Sequence, residues 1–180
     1  MNTTIHLTDR DTKFIIHNLY PLYLHDLSEI WGWTPNAYGV FEDGPTLTLQ
    51  EQNQEFAVWW EHPGVLYPYL IRADGIPAGF ALVAAPPYAP PGIEFYLNEF
   101  FVLRSFRGKG IAKSAAMQVF DAHAGAWELQ TNPTEINQRA QAFWRKTLQS
   151  YTAGAFRTHV GESGKDGVKW IFRFQNGGGP

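Results

Sequence analysis

Residues 100 to 113 read Phe100-Phe101-Val102-Leu103-Arg104-Ser105-Phe106-Arg107-Gly108-Lys109-Gly110-Ile111-Ala112-Lys113, an apolar strand followed by a glycine turn and the start of a helix. The first backbone N–H groups of a helix have no internal partners, and the aligned peptide dipoles favour negative charge there. Gly108 and Gly110 permit left-handed turn geometry and close approach of a phosphate, while Arg107, Lys109 and Lys113 add positive charge at the same end. This pattern describes an anion cradle; it equally describes a strand that turns into a helix through glycines, with solvated cations around it. It is not the Gly-x-x-x-x-Gly-Lys-Ser/Thr nucleotide loop. Nor is it the dinucleotide Gly-x-Gly-x-x-Gly fingerprint, because Lys113 stands where that pattern needs Gly or Ala.

The chemistry open to the chain is narrowed by its 180 residues containing no cysteine, which excludes disulfides, thiolate metal sites and acyl-cysteine intermediates. His17, His25, His62, His123 and His159 show no metal-ligand spacing with one another, so no metal is expected. With 44% hydrophobic, 17% charged and 16% aromatic residues, the chain reads as one globular domain over residues 1–176, with a flexible Gly-rich tail at 177–180. No stretch approaches the ~20 apolar residues of a membrane span, and MNTTIHLTDR lacks the basic start and apolar run of a signal peptide. The expectation is a cytoplasmic protein, monomeric or homodimeric, without nucleic-acid or membrane partners.

Element spacing supports a mixed α/β fold. Apolar periodicity predicts helices over about 9–30 and 48–61, the first bent or divided at Pro21. Residues 67–72 and 78–84 read as a hairpin around Asp74-Gly75, and the proline-rich stretch Ala84 to Gly92 as a loop. The dense apolar run 93–103 reads as a central strand. A helix from near Gly108 to about His123, a strand at 127–130, a helix after Pro133 and a closing hairpin of 156–160 with 168–174 complete the order.

Arg107-x-x-Gly110-x-Ala112 after an apolar strand resembles the acetyl-CoA-binding motif of the GCN5-related N-acetyltransferases (GNAT), Gln/Arg-x-x-Gly-x-Gly/Ala. Asn137-x-x-Ala140-x-x-Phe143-Trp144 is similar to that family's second signature. The element order matches as well, over essentially the whole chain to Gln175. Tyr23 to Ser28, Trp59-Trp60 and Asn98 to Val102 further resemble a group of predicted acetyltransferases within it. The resemblance implies a central mixed sheet of six or seven strands, with splayed parallel strands 4 and 5 and about four helices. It implies acetyl-CoA bound with its pyrophosphate on the amides of Arg107, Gly108, Lys109, Gly110, Ile111 and Ala112, with Lys113 among the cofactor-binding residues. The pantetheine arm would pair with the main chain of Phe101, Val102 and Leu103, and Asn137 and Trp144 would stand near it, Asn137 serving alternatively as a helix cap.

By the same resemblance Glu99 is the candidate base, alternatively a substrate-binding or structural carboxylate. Its apolar neighbours Phe95, Leu97 and Phe101 should raise its pKa above the ~4.3 reference. Glu94 is the alternative on the same strand. The family's usual tyrosine acid is replaced here by Trp144, whose N–H is not a useful acid. Tyr151, seven residues on, is the substitute on the same helix face; solvent is the other proton source.

The acceptor expectation comes from charge. Between Lys13 and Arg72 the chain carries seven acidic residues and no basic one; from Arg104 to Arg173 it carries eleven basic and five acidic. Carboxylates with aromatic faces suit a cationic amine, so Tyr23, Asp26, Trp31, Trp33 and Trp60 are the expected acceptor contacts, against the alternative that the aromatics are core and Asp26 a helix-surface or capping carboxylate. The expected activity is acetyl transfer to a small cationic amine of polyamine or aminoglycoside type. A protein or peptide N-acetyltransferase, or a non-catalytic binder of acyl-CoA or drug, is the alternative.

Overall fold

The computed structural model describes residues 1–41, 45–163 and 167–177. Glu42 and Asp43 of the acidic segment, Lys165 and Asp166 of the expected last turn, and the tail from Gly178 lie outside the described residues. In chain order the elements are β1 (Thr3–Leu7), α1 (Phe14–Trp31), α2 (Leu49–Glu55), β2 (Leu66–Ala73), β3 (Ile76–Ala84), β4 (Phe95–Val102), α3 (Ile111–Asp121), β5 (Ala126–Thr131), α4 (Gln138–Tyr151), β6 (Phe156–Glu162) and β7 (Val168–Gln175). The strands form one mixed sheet in the order β1-β2-β3-β4-β5-β7-β6, antiparallel except for β4 with β5.

Local chemistry accounts for most boundaries. Thr48 and Glu51 form a capping box that starts α2, satisfying the backbone N–H groups of both residues. The helix expected to run to residue 61 ends at Glu55 and tightens into a 3-10 turn over Phe56–Trp60. α1 passes through Pro21 undivided and closes at Gly32, whose left-handed backbone returns its N–H to the Ser28 carbonyl. Asp74 and Gly75 both have positive φ, 49° and 81°, the geometry of the expected two-residue hairpin turn. β1 was not expected: it is only five residues long and offers two apolar side chains, Ile5 and Leu7. It is held as a strand by pairing along β2, from Thr3 opposite Ala73 to Leu7 opposite Tyr69.

The two faces of the sheet carry separate cores. On one, α1 and the 3-10 turn bury Ile16, Leu19, Tyr23, Phe56 and Trp60 against Leu70, Phe80, Leu82 and Phe101. On the other, α3 and α4 bury Ala116, Val119, Phe120, Trp144 and Leu148 against Val83, Leu97, Trp127, Leu129 and Phe172. β4 contributes to both, but a bulge breaks its alternation. Leu82 stands opposite Glu99, but the next residue, Val83, stands opposite Leu97, leaving Asn98 as an extra residue. Simple alternation would put Leu97, Glu99 and Phe101 on one face; the bulge instead sends Leu97 to the α3/α4 side and Phe101 to the α1 side.

Just past the same bulge β4 parts from β5. The parallel pairing runs Phe95–Trp127, Tyr96–Glu128 and Leu97–Leu129 and stops there, while β4 continues to Val102 and β5 to Thr131. The C-terminal halves of these two strands therefore diverge, leaving a gap in the middle of the sheet.

Candidate active site

Three features meet at the gap: the main chain of β4, the glycine turn at its end, and Glu99. The Leu103 N–H is bonded to the Ala78 carbonyl on the β3 side. By strand alternation the N–H groups of Val102 and Phe100 point the other way, toward the gap. The Val102 carbonyl is already used, accepting from Arg107 Nε at 2.7 Å.

The glycine turn leaves its backbone open. Gly108 and Gly110 have φ of 74° and 79°, and a Cβ at either position would meet nothing within 4 Å, so the backbone is both left-handed and open. Gly110 is the N-cap of α3 and no side chain caps the helix there, leaving its first amides directed outward. The turn thus fits a diphosphate through main-chain N–H groups. The expected cations are turned toward protein partners. Lys109 Nζ donates to the Ser105 carbonyl at 2.8 Å, and Lys113 Nζ to Ser150 Oγ at 2.9 Å. Arg107 is held by Asp26 as well as by Val102. An open groove of about 340 Å³ leads away from the turn along α3, lined by Gly110, Lys113, Ser114, Met117, Gln118 and Asp121.

Glu99 is half-buried at the bulge and accepts a hydrogen bond from the Tyr23 hydroxyl of α1. Tyr23 is itself fixed by edge-on and tilted ring contacts with Phe80 and Phe101 at 5.5 and 5.6 Å. One turn along the same helix, Asp26 receives Arg104 Nε at 2.8 Å and the Arg107 guanidinium. Burial pushes the Asp26 carboxyl up, but the hydrogen bonds and charges of Arg107 and Arg104 outweigh it and hold the group below its ordinary value. Further along the sheet on the α1 side, buried Glu128 accepts from Arg173 Nε and Gln130 Nε2, both at 2.7 Å.

Several expected site residues stand elsewhere. Trp60 is core: 6% exposed, its Nε1 donating to Thr8 Oγ1 at 3.0 Å and its ring edge-on to His17. Asp26 faces two arginines instead of an open acceptor site. Tyr151 donates to Asp121 Oδ1 at 2.8 Å and accepts from Asn176 Nδ2 at 3.0 Å, a cluster at the start of β5. The two-turn spacing from Trp144 does keep it on one helix face, but seven residues also advance it by about 10 Å, away from the diverging end. Burial is the main reason its hydroxyl is pushed up to about 12. Trp144 is buried in an aromatic cluster, 5.2 Å from Phe100 and 4.7 Å from Phe143. Asn137 spends its amide N–H groups on Thr131 Oγ1 and the Asn132 carbonyl, both at 2.8 Å, tying the end of β5 to the start of α4; it makes no side-chain cap bond. Glu94, the alternative carboxylate, binds the Ala126 N–H at the far end of β5. Trp31 and Trp33 stack 5.7 Å apart on the surface at the end of α1, and Lys169 Nζ lies 4.0 Å from the Trp31 ring centre.

Missed from the sequence were Arg104, which shares Asp26 with Arg107, and the Tyr23–Glu99 bond. Their only sequence signal was the three-residue spacing of Tyr23 and Asp26 on one helix face.

A family model described as Acetyltransferase (GNAT) family matches residues 20–148. No curated protein matches the chain. Among solved structures, the ribosomal-protein-S5-alanine acetyltransferase from Vibrio fischeri superposes with a TM-score of 0.64 at 13% identity, covering 98% of this chain and 94% of the other. RimL, a ribosomal L7/L12 α-N-protein acetyltransferase in complex with coenzyme A, gives 0.63 at 13% identity, covering 98% and 95%. The aminoglycoside N-acetyltransferase AAC(6')-Ib11 gives 0.56 at 17% identity, covering 97% of each chain. At these identities the likeness is one of fold.

Proposed function

The chain belongs to the GNAT acetyltransferase family, and on that premise we propose that it moves an acetyl group directly to the primary amine of a small cationic acceptor, with Glu99 as the base. Membership makes it an acyl-CoA-dependent N-acetyltransferase that uses acetyl-CoA. When bound, acetyl-CoA supplies an activated thioester with a good leaving group. The residues of this chain bind, orient and deprotonate. In this reading the amides from Gly108 to Lys113 carry the diphosphate, and the gap-facing N–H groups of Val102 and Phe100 align the pantetheine arm.

The observation that carries the proposal is the placement of Glu99. A bulge turns its carboxylate to the α1 side of the sheet at the point where β4 leaves β5, so an amine entering over α1 meets it beside the gap. There Glu99 takes the proton of the incoming ammonium, and the gap holds the neutral amine in line with the acyl carbon, where orientation supplies much of the rate. Trp144 brings no acidic proton, so the proton for a thiolate leaving group would come from solvent. Trp31 lies between Lys169 and Trp33, so it is the exposed outer face of Trp33 that remains for the rest of the acceptor.

A second reading, a peptide N-terminus as acceptor, draws on two contacts. Asp26 is spent on two arginines, and Lys169 lies against Trp31, so neither adds negative charge that would select a polycation. The test is Glu99→Gln: thiol release from acetyl-CoA with spermidine and with an N-terminal alanyl peptide should fall at least 100-fold for the true acceptor, while acetyl-CoA still stabilises the protein. Unchanged turnover would remove Glu99 from the base role.

A further inference from the structure

Tyr23 and Asp26 lie three residues apart on one face of α1, the first bonded to Glu99 and the second to both arginines that lead into the glycine turn. We propose that this turn of α1 is a positioning device: Asp26, clamped by Arg104 and Arg107, sets the height of α1 over the sheet so that the Tyr23 hydroxyl holds and stabilises the ionised Glu99 carboxylate beside the donor turn. The proposal rests on the reading of Glu99 as base and gives that base its support.

The contacts make the link mechanical. Arg107 is fixed at two points, Nε to the Val102 carbonyl at the end of β4 and its terminal nitrogen to Asp26. Arg104 adds Nε to Asp26 at 2.8 Å and reaches Glu29 at 3.5 Å. The end of β4, the donor turn and α1 are therefore joined through one carboxylate that is only 17% exposed. On the sheet side, the Tyr23 ring is wedged against Phe80 and Phe101, so its hydroxyl has little freedom to leave Glu99. The titratable and charged groups on the faces packed around Glu99 are Tyr20, Tyr23 and Asp26 of α1, with Arg104 and Arg107 against Asp26. From the sheet they are Tyr96 on β4, Glu128 on β5 and Arg173 on β7. A hydroxyl donating to a carboxylate favours its charged form, so the Tyr23 bond holds Glu99 as the carboxylate, the form that can take a proton.

The experiment is a carboxyl 13C NMR titration of protein labelled at glutamate Cδ, with the Glu99 signal assigned by its loss in Glu99→Gln. Tyr23→Phe should raise the Glu99 midpoint by about one pH unit, because the charged form loses a hydrogen bond. Asp26→Asn should raise it as well, by a smaller amount. Loss of the Asp26 charge acting through the field alone would lower the midpoint, so the direction separates positioning from electrostatics. Stabilisation by acetyl-CoA in both variants confirms that they fold. A Glu99 midpoint that stays put or falls in either variant overturns the proposal. Failure of the base reading is a different result: spermidine or alanyl-peptide turnover unaffected by Glu99→Gln, whatever the midpoints do.

Discussion

Substitution of Gly110 tests whether the glycine turn carries a phosphate as well as shaping the chain. With φ of 79°, any side chain at this position incurs the left-handed cost of about 1–2 kcal/mol, but there is room for it, since a Cβ would meet nothing within 4 Å. Gly110→Ala and Gly110→Asp should therefore both fold, each melting about 2–8 °C below wild type for a chain of this size. They should part when acetyl-CoA is added. At 100 times its dissociation constant a ligand stabilises by about 2.7 kcal/mol, which is about 5–11 °C here. A carboxylate about 4 Å from one phosphate charge, at an effective dielectric near 20, repels it by about 4 kcal/mol, enough to cancel that gain. Thermal unfolding with and without acetyl-CoA should show most of the ligand shift kept in Gly110→Ala and lost in Gly110→Asp. Equal ligand shifts in wild type and Gly110→Asp would refute the placement of the diphosphate on this turn.

Other parts of the structure make separable predictions. Gly79→Ala would drive a Cβ to 2.0 Å from the Phe101 carbonyl oxygen in the neighbouring strand, a backbone clash that should cost about 3 kcal/mol or more and show as loss of soluble, cooperatively unfolding protein. Tyr151→Phe removes the bonds to Asp121 and Asn176, so denaturant unfolding should report a loss of about 1–2 kcal/mol while thiol release is unchanged. His123, bonded to Tyr69 at 2.8 Å, is held by burial below its ordinary value of 6.5, and His17 is lowered chiefly by burial too. The unfolded chain then takes up these protons first, so their contribution is complete above 6.5 and is lost as pH falls through the folded values. Melting temperature should drop on acidification from pH 7 to 5, and His123→Gln should flatten the slope.

Where local chemistry decides, the chain was readable. The Asp74-Gly75 hairpin, the Thr48 start of α2, the Pro-rich loop before β4 and the glycine turn into α3 follow from turn and capping residues that act within a few positions. β1 was invisible because its two apolar residues carry no signal until β2 is beside it. The bulge at Asn98 was equally hidden: it inserts one residue against β3, and no residue type in Leu97-Asn98-Glu99 marks it. That single insertion decides which face Glu99 reaches. Spacing likewise fixed the helix face of Tyr151 but not its distance along the axis. Charge was the least reliable guide, since the acidity of residues 14–71 was read as a lure for cations, whereas Asp26 is neutralised by two arginines 78 and 81 positions away in the chain.

Direct acetyl transfer to a free amine is measured by free-thiol release from acetyl-CoA across polyamines, aminoglycosides, amino acids and short peptides, with mass spectrometry locating the acetyl group. Release is expected with one amine class, with one acetyl group on the acceptor nitrogen. Stabilisation by acetyl-CoA without release from any amine, or acetyl found on the protein in place of the acceptor, would contradict it.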